Sequence, residues 1–503
     1  MMEPLPVSIE QISDSEWVET PESVKRYLLG RIEQLERQYE ELKAENAMLR
    51  EQLRRNSQNS SKPPSQDQGN RFKPKAKQEK EKKKPRGGQL GHEGHEGKFY
   101  PLEACETVTE HYPERCINCG GRLQGKDPEP YRVQQVEIPP VVPVVREHRF
   151  HALKCACCGV RTRAWDEVII NGCRYGERIV STVGLLSGQY RQSHRMVQGL
   201  LDQLFGVELS TGSINQLRQE SSTSVASAVE EAHHYVQQQE QVNMDETSFA
   251  QGNNDGKNTE GRKGWLWVLV TPWVSYFAVC LSRSSQVCQQ LLGETFTGIV
   301  GSDRYSAYQH LSLEHRQVCW AHLKRDLTQI AERKGVAGEL GQALLEQQHL
   351  LFEHWYRVRD GTLSRSEFSQ TVQPIRERFK QLLTEGAGYE IAPKEKTPLA
   401  KTVRTCQQLL KIEPALWTFV TTEGIEPTNN AAERALRPAV LWRKNSFGSQ
   451  SEAGSLFVSR MLTVTTSLRA QNRSVLEYLV QACRASRQGL PAPSLLPIQD
   501  RTL

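Results

Sequence analysis

The sequence has no apolar run long enough to cross a membrane as a helix. Its most hydrophobic stretch, residues 265–281, is interrupted by Thr271 and Pro272 and is rich in aromatic and β-branched residues, so it predicts two buried strands joined by a turn. The acidic N-terminus also lacks an apolar segment, and no signal peptide is expected. We therefore expect a cytoplasmic protein with no membrane contact, in which paired thiols among the twelve cysteines indicate metal binding rather than disulfides.

Acidic residues are scarce in one part of this 503-residue chain, whose length predicts several domains. Residues 54–86 hold twelve Lys or Arg against three Asp or Glu, a local balance of +9, whereas the whole chain carries only +5. The segment 56–98 has no apolar periodicity and is rich in Ser, Pro, Lys and Gly, which predicts a disordered basic linker attracted to nucleic-acid phosphates. Its His92 and His95 are flanked by glycines with no thiol nearby, which favours a solvated loop over a metal site.

A heptad pattern in residues 22–55 predicts a coiled coil. Leucine at every d position favours a two-stranded assembly, and Asn46 at an a position fixes its register at a cost in stability. The alternative is a single long helix packed on its own chain, but the narrow apolar stripe favours a dimer. The d positions are Leu28, Leu35, Leu42 and Leu49, and the a positions are Lys25, Ile32, Tyr39, Asn46 and Leu53.

Two Cys-x-x-Cys pairs lie within residues 99–170. Cys116 and Cys119 form the first pair, and Cys155 and Cys158 form the second; each is followed by a glycine that permits a tight knuckle. With a strand-like stretch between the pairs, this pattern predicts a zinc ribbon whose four thiolates, on two adjoining hairpins, bind a structural Zn²⁺. The fourth ligand is less well defined than the first three. Its alternatives are Cys105, His111 and Cys157.

Residues 176–238 have a helical period. Within them, "MVQGLLDQLFGVELSTGSINQLRQE" predicts an apolar helix, a break at Gly206 and a second helix capped by Ser210 or Thr211. The pattern is typical of a helix-turn-helix and equally of a plain helical hairpin, because no set of base-reading side chains is evident.

From residue 239 the period changes from helix to strand. The predicted order is strand, strand, strand, helix, strand, with Asp245 on the first strand and Asp303 at the end of the fourth. An RNase H-like domain has this order and brings those two strands side by side, so aspartates 58 positions apart would become neighbours. Their mutual repulsion indicates a divalent cation, and hard oxygen ligands suit Mg²⁺ or Mn²⁺. Two such ions can activate a hydroxyl nucleophile and stabilise the leaving oxygen of a phosphodiester.

A third acid could come from "TNNAAERALRP", residues 428–438, which contains Glu433. Taken alone, this stretch is a helix start in which Thr428 or Asn429 is a cap and the acid suits the helix dipole. We interpret Asn429 and Asn430 as helix caps or as donors that support metal ligands. Competing acids are Glu246, Glu423 and Glu426.

These segments together resemble the insertion-sequence 66 family of transposases, which belongs to the DDE superfamily. The resemblance extends over nearly the whole chain and implies that Asp245, Asp303 and Glu433 are the catalytic acids. It also implies that residues 323–426 form a mostly helical insertion, while "SFGSQSEAGS" lacks an aromatic pair that many relatives have there. The matching segments are "LRRNSQNSSKPPS" (53–65), the zinc ribbon, "YRQSHRMVQGLLDQLFGVELSTGSI" (190–214), "MDETSF" (244–249), "GSDRYSAY" (301–308), "CWAHLKRDL" (319–327) and "NNAAERALRPAVLWRKNSFGSQSEAGS" (429–455).

The fold class expected is therefore a multidomain α+β and α/β protein. Cys319 and His322 of "CWAH" are expected to be a strand-end thiol and an imidazole near the scissile phosphate, because two ligands cannot close a zinc site. In chain order we expect a coiled coil (22–55), a linker (56–98), a zinc ribbon (99–170), a helical region (176–238), an RNase H-like core (239–322 and 427–485) interrupted by the insertion (323–426), and a tail (486–503).

The function implied by the resemblance is that of a bacterial, nucleoid-associated DNA transposase. It would bind the terminal inverted repeats of its element, cleave the ends with metal-activated water and join the 3′ hydroxyl to target DNA, using two Mg²⁺ or Mn²⁺ ions. Its partners would be DNA, a second copy through the coiled coil, and accessory proteins of the same element. The alternatives are an RNase H-like nuclease without strand transfer and an inactive DNA-binding regulator. Expected phosphate contacts are Lys324, Arg325, Arg434, Arg437, Arg443 and Lys444.

Overall fold

The computed structural model describes residues 14–60, 99–166 and 174–497. These residues divide into two compact units. The larger contains 14–60, 149–166, 174–199 and 209–497, and the smaller contains 99–148 and 200–208. The architecture is that of a multidomain α+β protein with one mixed sheet. None of the helices in the described ranges is long and apolar enough to span a bilayer.

The heptad segment is one continuous helix. A short helix α1 (Asp14–Glu19) precedes α2 (Glu22–Arg54), which has no buried residue along its 33 positions. The predicted d-position leucines are exposed, from 38% for Leu28 to 64% for Leu42. A partner helix would bury this apolar stripe, which its own chain leaves uncovered. The pairing of two α2 helices remains a prediction.

The first residues of the predicted linker are ordered, and the prediction of disorder is wrong for residues 56–60. Asn56 and Asn59 bind each other's backbone through their side chains, and Asn59 is 3% exposed. The Asn59 amide also donates to the Arg54 carbonyl at 3.2 Å and to Glu332 at 2.6 Å, which fixes the end of α2 against a later helix. Linker residues 61–98, with His92 and His95, lie outside the described residues.

The two cysteine pairs lie on short hairpins. An isolated bridge joins Arg115 to Arg122 around the first pair, and strands β1 (Ala152–Lys154) and β2 (Arg161–Arg163) flank the second. The stretch predicted to be strand-like between them forms no strand at residues 131–150, so that expectation is wrong. Two prolines at 139–140 and a third at 143 remove the N–H groups that a ladder would need.

The predicted helical region is confirmed as helical. Its second and third helices flank the break at Gly206, whose φ is 61°, and Ser210 caps the third helix by accepting the N–H of Ser213 at 3.0 Å. The Gln198 side chain donates to the Leu209 carbonyl at 2.7 Å and ties the turn to the preceding helix. The helices are α3 (Glu177–Gly188), α4 (His194–Phe205), α5 (Thr211–Ser224) and α6 (Ala226–Gln237).

A five-stranded mixed sheet forms the centre of the larger unit. Its strand order is β5-β4-β3-β6-β7; the pairs β5-β4 and β4-β3 are antiparallel, and the pairs β3-β6 and β6-β7 are parallel. The apolar stretch at 265–281 provides the predicted hairpin, and its first strand is buried on both faces. The strands are β3 (Gln241–Ser248), β4 (Trp265–Val270), β5 (Ser275–Cys280), β6 (Ile299–Ser302) and β7 (Arg316–Val318).

Two hydrophobic clusters organise the remaining helices. One cluster packs α13 (Asn430–Ser446) and α14 (Glu452–Ala470) against the sheet, and the other is an aromatic core of the helical insertion around Trp320, Trp417 and Phe379. Ser459, Thr463 and Ser467 of α14 accept backbone N–H groups of the edge strand β5. The helices are α7 (Ser285–Leu292), α8 (Trp320–Ala331), α9 (Val336–Arg359), α10 (Arg365–Ala387), α11 (Pro398–Lys411), α12 (Thr418–Thr421), α13 (Asn430–Ser446), α14 (Glu452–Ala470) and α15 (Val475–Arg487).

Candidate active site

Asp245 and Asp303 lie on neighbouring parallel strands. The ladder pairs Asn243 of β3 with Gly301 of β6; two residues further along the chain lie Asp245, still in β3, and Asp303, the first residue after β6. Adjacent strands are about 4.8 Å apart, so this register brings the two carboxyl groups to the same end of the sheet. The Asp303 side chain accepts the N–H of Tyr305 at 2.8 Å, and Arg316 donates to the Asp303 carbonyl at 2.8 Å. Both contacts fix the backbone that carries Asp303.

Glu433 enters the same region from the first turn of α13, a helix that packs against β3 and β4. Asn429, immediately before this helix, is 1% exposed. Its side chain donates to the Met244 carbonyl at 2.6 Å, and its N–H donates to the Cys319 thiol at 3.1 Å. The side chain does not cap the helix, which corrects one of the two predicted roles; it ties the start of α13 to the strand that carries Asp245.

The electrostatics link these three acids. Burial of the Asp245 carboxyl group raises its pKa well above the ordinary value, and the negative charges of Glu246, Asp303 and Glu433 raise it further. A divalent cation near the buried Asp245 carboxylate would offset this repulsion. Within the described residues, Glu433 Oε1 is buried without a hydrogen-bond partner.

Helix α8 supplies the positive side of the site. His322 Nδ1 lies 3.5 Å from Glu433 Oε1, and an Arg325 guanidinium nitrogen lies 3.7 Å from Oε2. The Cys319 N–H, immediately before the helix, donates to the Ser302 carbonyl at the end of β6 at 2.8 Å and so ties the helix start to the sheet. The thiol is thus a buried strand-end group, as the sequence predicts, and the imidazole is adjacent to a candidate catalytic acid.

The competing acids are placed differently. Glu246 has a fully buried side chain that forms a 2.6 Å ion pair with Arg283 and accepts the Tyr308 hydroxyl. Burial nevertheless raises the pKa of Glu246, because removal from solvent outweighs these two partners. Glu423 and Glu426 are exposed in the loop before α13, and neither is among the charges that raise the pKa of Asp245. Of these acids, only Glu246 is buried, and its oxygens already have partners.

The donor set fits a hard divalent cation: carboxylate oxygens, mutual repulsion and one buried oxygen without a partner. In the ranges 14–60, 99–166 and 174–497, no three His, Cys, Asp or Glu side chains converge closely enough to hold a metal ion. The three acids therefore interact through their charges without forming a closed coordination shell.

Comparison with known proteins identifies the family. The model of the IS66 family of transposases matches residues 173–456, which include all three acids and the sheet. The chain belongs to the IS66 transposase family. A second model, for a family of unknown function, matches residues 7–98 of this IS66 transposase-family chain.

Two curated relatives are similar to the IS66 chain. It is 27% identical to the uncharacterized protein y4qI of Sinorhizobium fredii over 284 residues, 52% of this chain and 50% of the relative, so it spans about half of that protein's length. It is 25% identical to the uncharacterized protein y4hP of the same organism over 402 residues, 72% of this chain and 69% of the relative.

The cysteine pairs of this IS66 protein have the same local geometry. The N–H of Cys116 donates to the Gly121 carbonyl at 2.8 Å, and the N–H of Cys155 donates to the Val160 carbonyl at 2.8 Å. In both loops the glycine four positions on has φ near 72° and its N–H returns to the first cysteine's carbonyl. Hydrogen bonds from backbone N–H groups lower the pKa of Cys116 and of Cys155. The largest effect in each loop comes from the N–H of the second cysteine, Cys119 or Cys158. Each loop thus favours a thiolate, and zinc binding stays a prediction.

The predicted DNA-binding cations of the IS66 chain fall into two groups. Arg434, Arg437, Lys444 and Lys324 are exposed, whereas Arg325 contacts Glu433. Arg443 donates to the Thr247 hydroxyl at 2.9 Å and to Ser248 at the end of β3, so its guanidinium holds α13 to the sheet. The sequence did not indicate Arg283, Tyr308 or Arg316, because each is recognisable only from the distant group that its side chain contacts.

Proposed function

We propose that this protein is a DDE-type DNA transposase that cleaves the ends of its element and joins them to target DNA. One observation carries the proposal: Asp245 from β3, Asp303 from the end of β6 and Glu433 from α13 form one electrostatically linked group. The strand order β5-β4-β3-β6-β7, with the acids on the two central parallel strands, supports an RNase H-like core. Membership in the IS66 family supports a transposase role.

The three carboxylates would hold Mg²⁺ or Mn²⁺, as their oxygen chemistry and mutual repulsion suggest. When bound, such ions lower the pKa of a nucleophilic water or hydroxyl and stabilise negative charge on the leaving oxygen. A bound cation would lower the raised pKa of Asp245, because it replaces repulsion with attraction.

The chain's own residues position the reaction. His322 and Arg325 contact both oxygens of Glu433 and restrict its rotamers, and Asn429 fixes the helix that carries it. Arg316 and the Tyr305 N–H hold the Asp303 loop. Fixed acids reduce the reorganisation needed when a phosphodiester is placed between attacking and leaving oxygens.

DNA would approach along the exposed cations of α13. Arg434 and Arg437 lie three positions apart, on one face of the helix, and both are exposed. The described residues provide no ion pair for either. The basic linker and the cysteine hairpins would add sequence-independent contacts to the phosphate backbone. The exposed leucine stripe of α2 would pair two subunits so that two DNA ends are held together.

The decisive experiment compares the parent protein with Glu433→Gln on a labelled DNA end in Mg²⁺. The substitution keeps the side-chain shape and removes the charge, so we expect DNA binding without cleavage or joining. Glu423→Gln, at an exposed acid, is the matched control and should retain both activities. A Glu433→Gln variant as active as the parent would contradict the proposed site.

The same assay separates the alternatives. A nuclease would cleave but produce no strand-transfer product. An inactive regulator would bind DNA and do neither, and Asp303→Asn would then leave every cellular activity intact.

A further inference from the structure

A cavity of about 440 Å³ lies at the C-terminal end of α13, away from the three acids. One wall comes from the end of α3, the start of α4 and the middle of α5. The other comes from the loop after α13 and the first turns of α14. Its lining includes Arg191, His194, Arg218, Asn445, Ser451 and Phe457.

Arg218 is a largely buried cation in this cavity, and it has no carboxylate partner among the described residues. Its guanidinium lies over the Phe457 ring, 4.2 Å from the centroid, and contacts His194 Nε2. Its Nε is buried without a hydrogen-bond partner. Arg333, whose side chain is 7% exposed, pairs with Glu51, and the buried Arg316 donates instead to the Ser302 hydroxyl and the Asp303 carbonyl. The unpartnered Nε distinguishes Arg218 from these two only in part, since Arg333 Nε is likewise without a hydrogen-bond partner in the described ranges.

An unpaired buried charge is costly, so Arg218 needs an explanation. Burial lowers its pKa to about 10, which still leaves it charged at neutral pH. Burial and the positive charge of Arg218 lower the pKa of His194, so the imidazole is neutral and can accept a guanidinium N–H. The lining of the cavity, as far as the structure describes it, therefore carries the positive charges of Arg218 and Arg191 and no carboxylate to neutralise them.

Neighbouring groups increase the attraction for an anion. Arg191 adopts a left-handed backbone with φ of 58°, which costs a non-glycine residue about 1 kcal/mol, and its Nε is buried without a partner in the part of the chain described. The N-terminal end of α14, capped by Ser451, adds the positive end of a helix dipole. Asn445 offers an amide at the rim.

We propose that this cavity binds a phosphate of the DNA backbone through Arg218, at a distance from the cleaved bond. Asn445 is twelve positions after Glu433 (445 minus 433) on the same helix, about 18 Å along its axis. That length corresponds to about five phosphates along one strand of B-form DNA. Because one rigid helix carries both sites, a phosphate held here would set where the duplex meets the acids. The inference rests on the proposed function and adds a second anchoring point to it.

The test measures affinity of the full chain for a labelled duplex as salt rises from about 50 to 200 mM. Arg218→Met keeps the apolar stem over Phe457 and removes the charge; losing one phosphate contact should reduce the slope of log K against log salt by about 0.9. Its melting temperature should stay level or rise, because an unpaired buried charge is removed. Arg218→Lys keeps a charge and should retain most of the slope.

Arg178→Met is the matched control, since Arg178 is an exposed arginine of α3 paired with Glu477 at 3.1 Å. It should leave the slope unchanged. If Arg218→Met has the same slope of log K against log salt as the parent, Arg218 only supports packing. The same conclusion follows if Arg218→Lys loses as much slope as Arg218→Met and also melts at a lower temperature than the parent. A parent protein that binds no duplex would overturn the proposed function as well, whereas an unchanged slope in a DNA-binding parent overturns the cavity alone.

Discussion

Replacing Asp245 with Asn should stabilise the metal-free protein, although it removes a proposed catalytic residue. The carboxylate is buried and repelled by Asp303, Glu433 and Glu246. Asn has the same shape, and its carbonyl can still accept the Glu246 N–H that Asp245 accepts at 2.8 Å. The substitution therefore removes the charge and little else.

The direction of this stability change follows from the raised pKa of Asp245. A group whose folded-state pKa exceeds the unfolded value, about 4 for an aspartate, contributes its full stability below that value and loses it as pH rises through the folded pKa. At neutral pH the parent has therefore lost more of this stability than at pH 4, whereas the variant has no carboxyl group to titrate. Each pKa unit corresponds to about 1.4 kcal/mol, or roughly 3–6 °C in melting temperature for a domain of this size.

Thermal unfolding of the full chain, scanned by calorimetry from about pH 4 to 8 in chelator, measures this difference. The Asp245→Asn advantage should be largest at high pH and vanish towards pH 4. Adding Mg²⁺ should stabilise the parent by ligand binding and leave the variant almost unchanged. Asp326→Asn is the control, because Asp326 pairs with Arg304 at 2.5 Å and its loss should not stabilise. An Asp245→Asn variant no more stable than the parent at any pH would refute the reasoning.

Three further substitutions test other contacts. Arg283→Met leaves Glu246 buried without its cation and should lower the free energy of unfolding, measured in denaturant, by about 3 kcal/mol. This is the lower end of the range for a buried pair, because Arg283 is partly exposed. A loss under about 1 kcal/mol would contradict the expectation. Asn59→Ala removes the hydrogen bond to Glu332 and should speed hydrogen exchange in the last turn of α2, whereas unchanged exchange would argue against docking there. Cys116→Ser should abolish stoichiometric zinc in elemental analysis, and retained zinc would exclude this thiol as a ligand.

Local patterns predicted much of the fold. The apolar hairpin at 265–281, the short helix that follows it and the helical period around Gly206 depend on neighbours within a few residues, and each is present. The heptad likewise predicted one long helix. The strand prediction for residues 131–150 was wrong because it gave more weight to the β-branched residues than to the prolines. Prolines lack the N–H groups that a strand needs for pairing, so no strand forms there.

For the candidate site, too, the sequence indicated some features and only the structure showed others. The strand order paired Asp245 with Asp303, and the family resemblance implied Glu433 as the third acid. The sequence also left Glu246, Glu423 and Glu426 as competitors, since a carboxylate's partners cannot be read from its neighbours. The structure distinguishes them through Arg283 and Tyr308, 37 and 62 positions from Glu246.

The sequence by itself therefore determined the kinds of element, the acids they carry and the family resemblance. Only the tertiary structure decided which charges are neutralised and which are not: Glu246 is paired, Asp245 is repelled and Arg218 is buried without a counter-ion. The physical reason is the separation along the chain of the residues that interact. Helix and strand periods arise from residues a few positions apart, whereas burial and ion pairing depend on groups that meet only when the chain has folded.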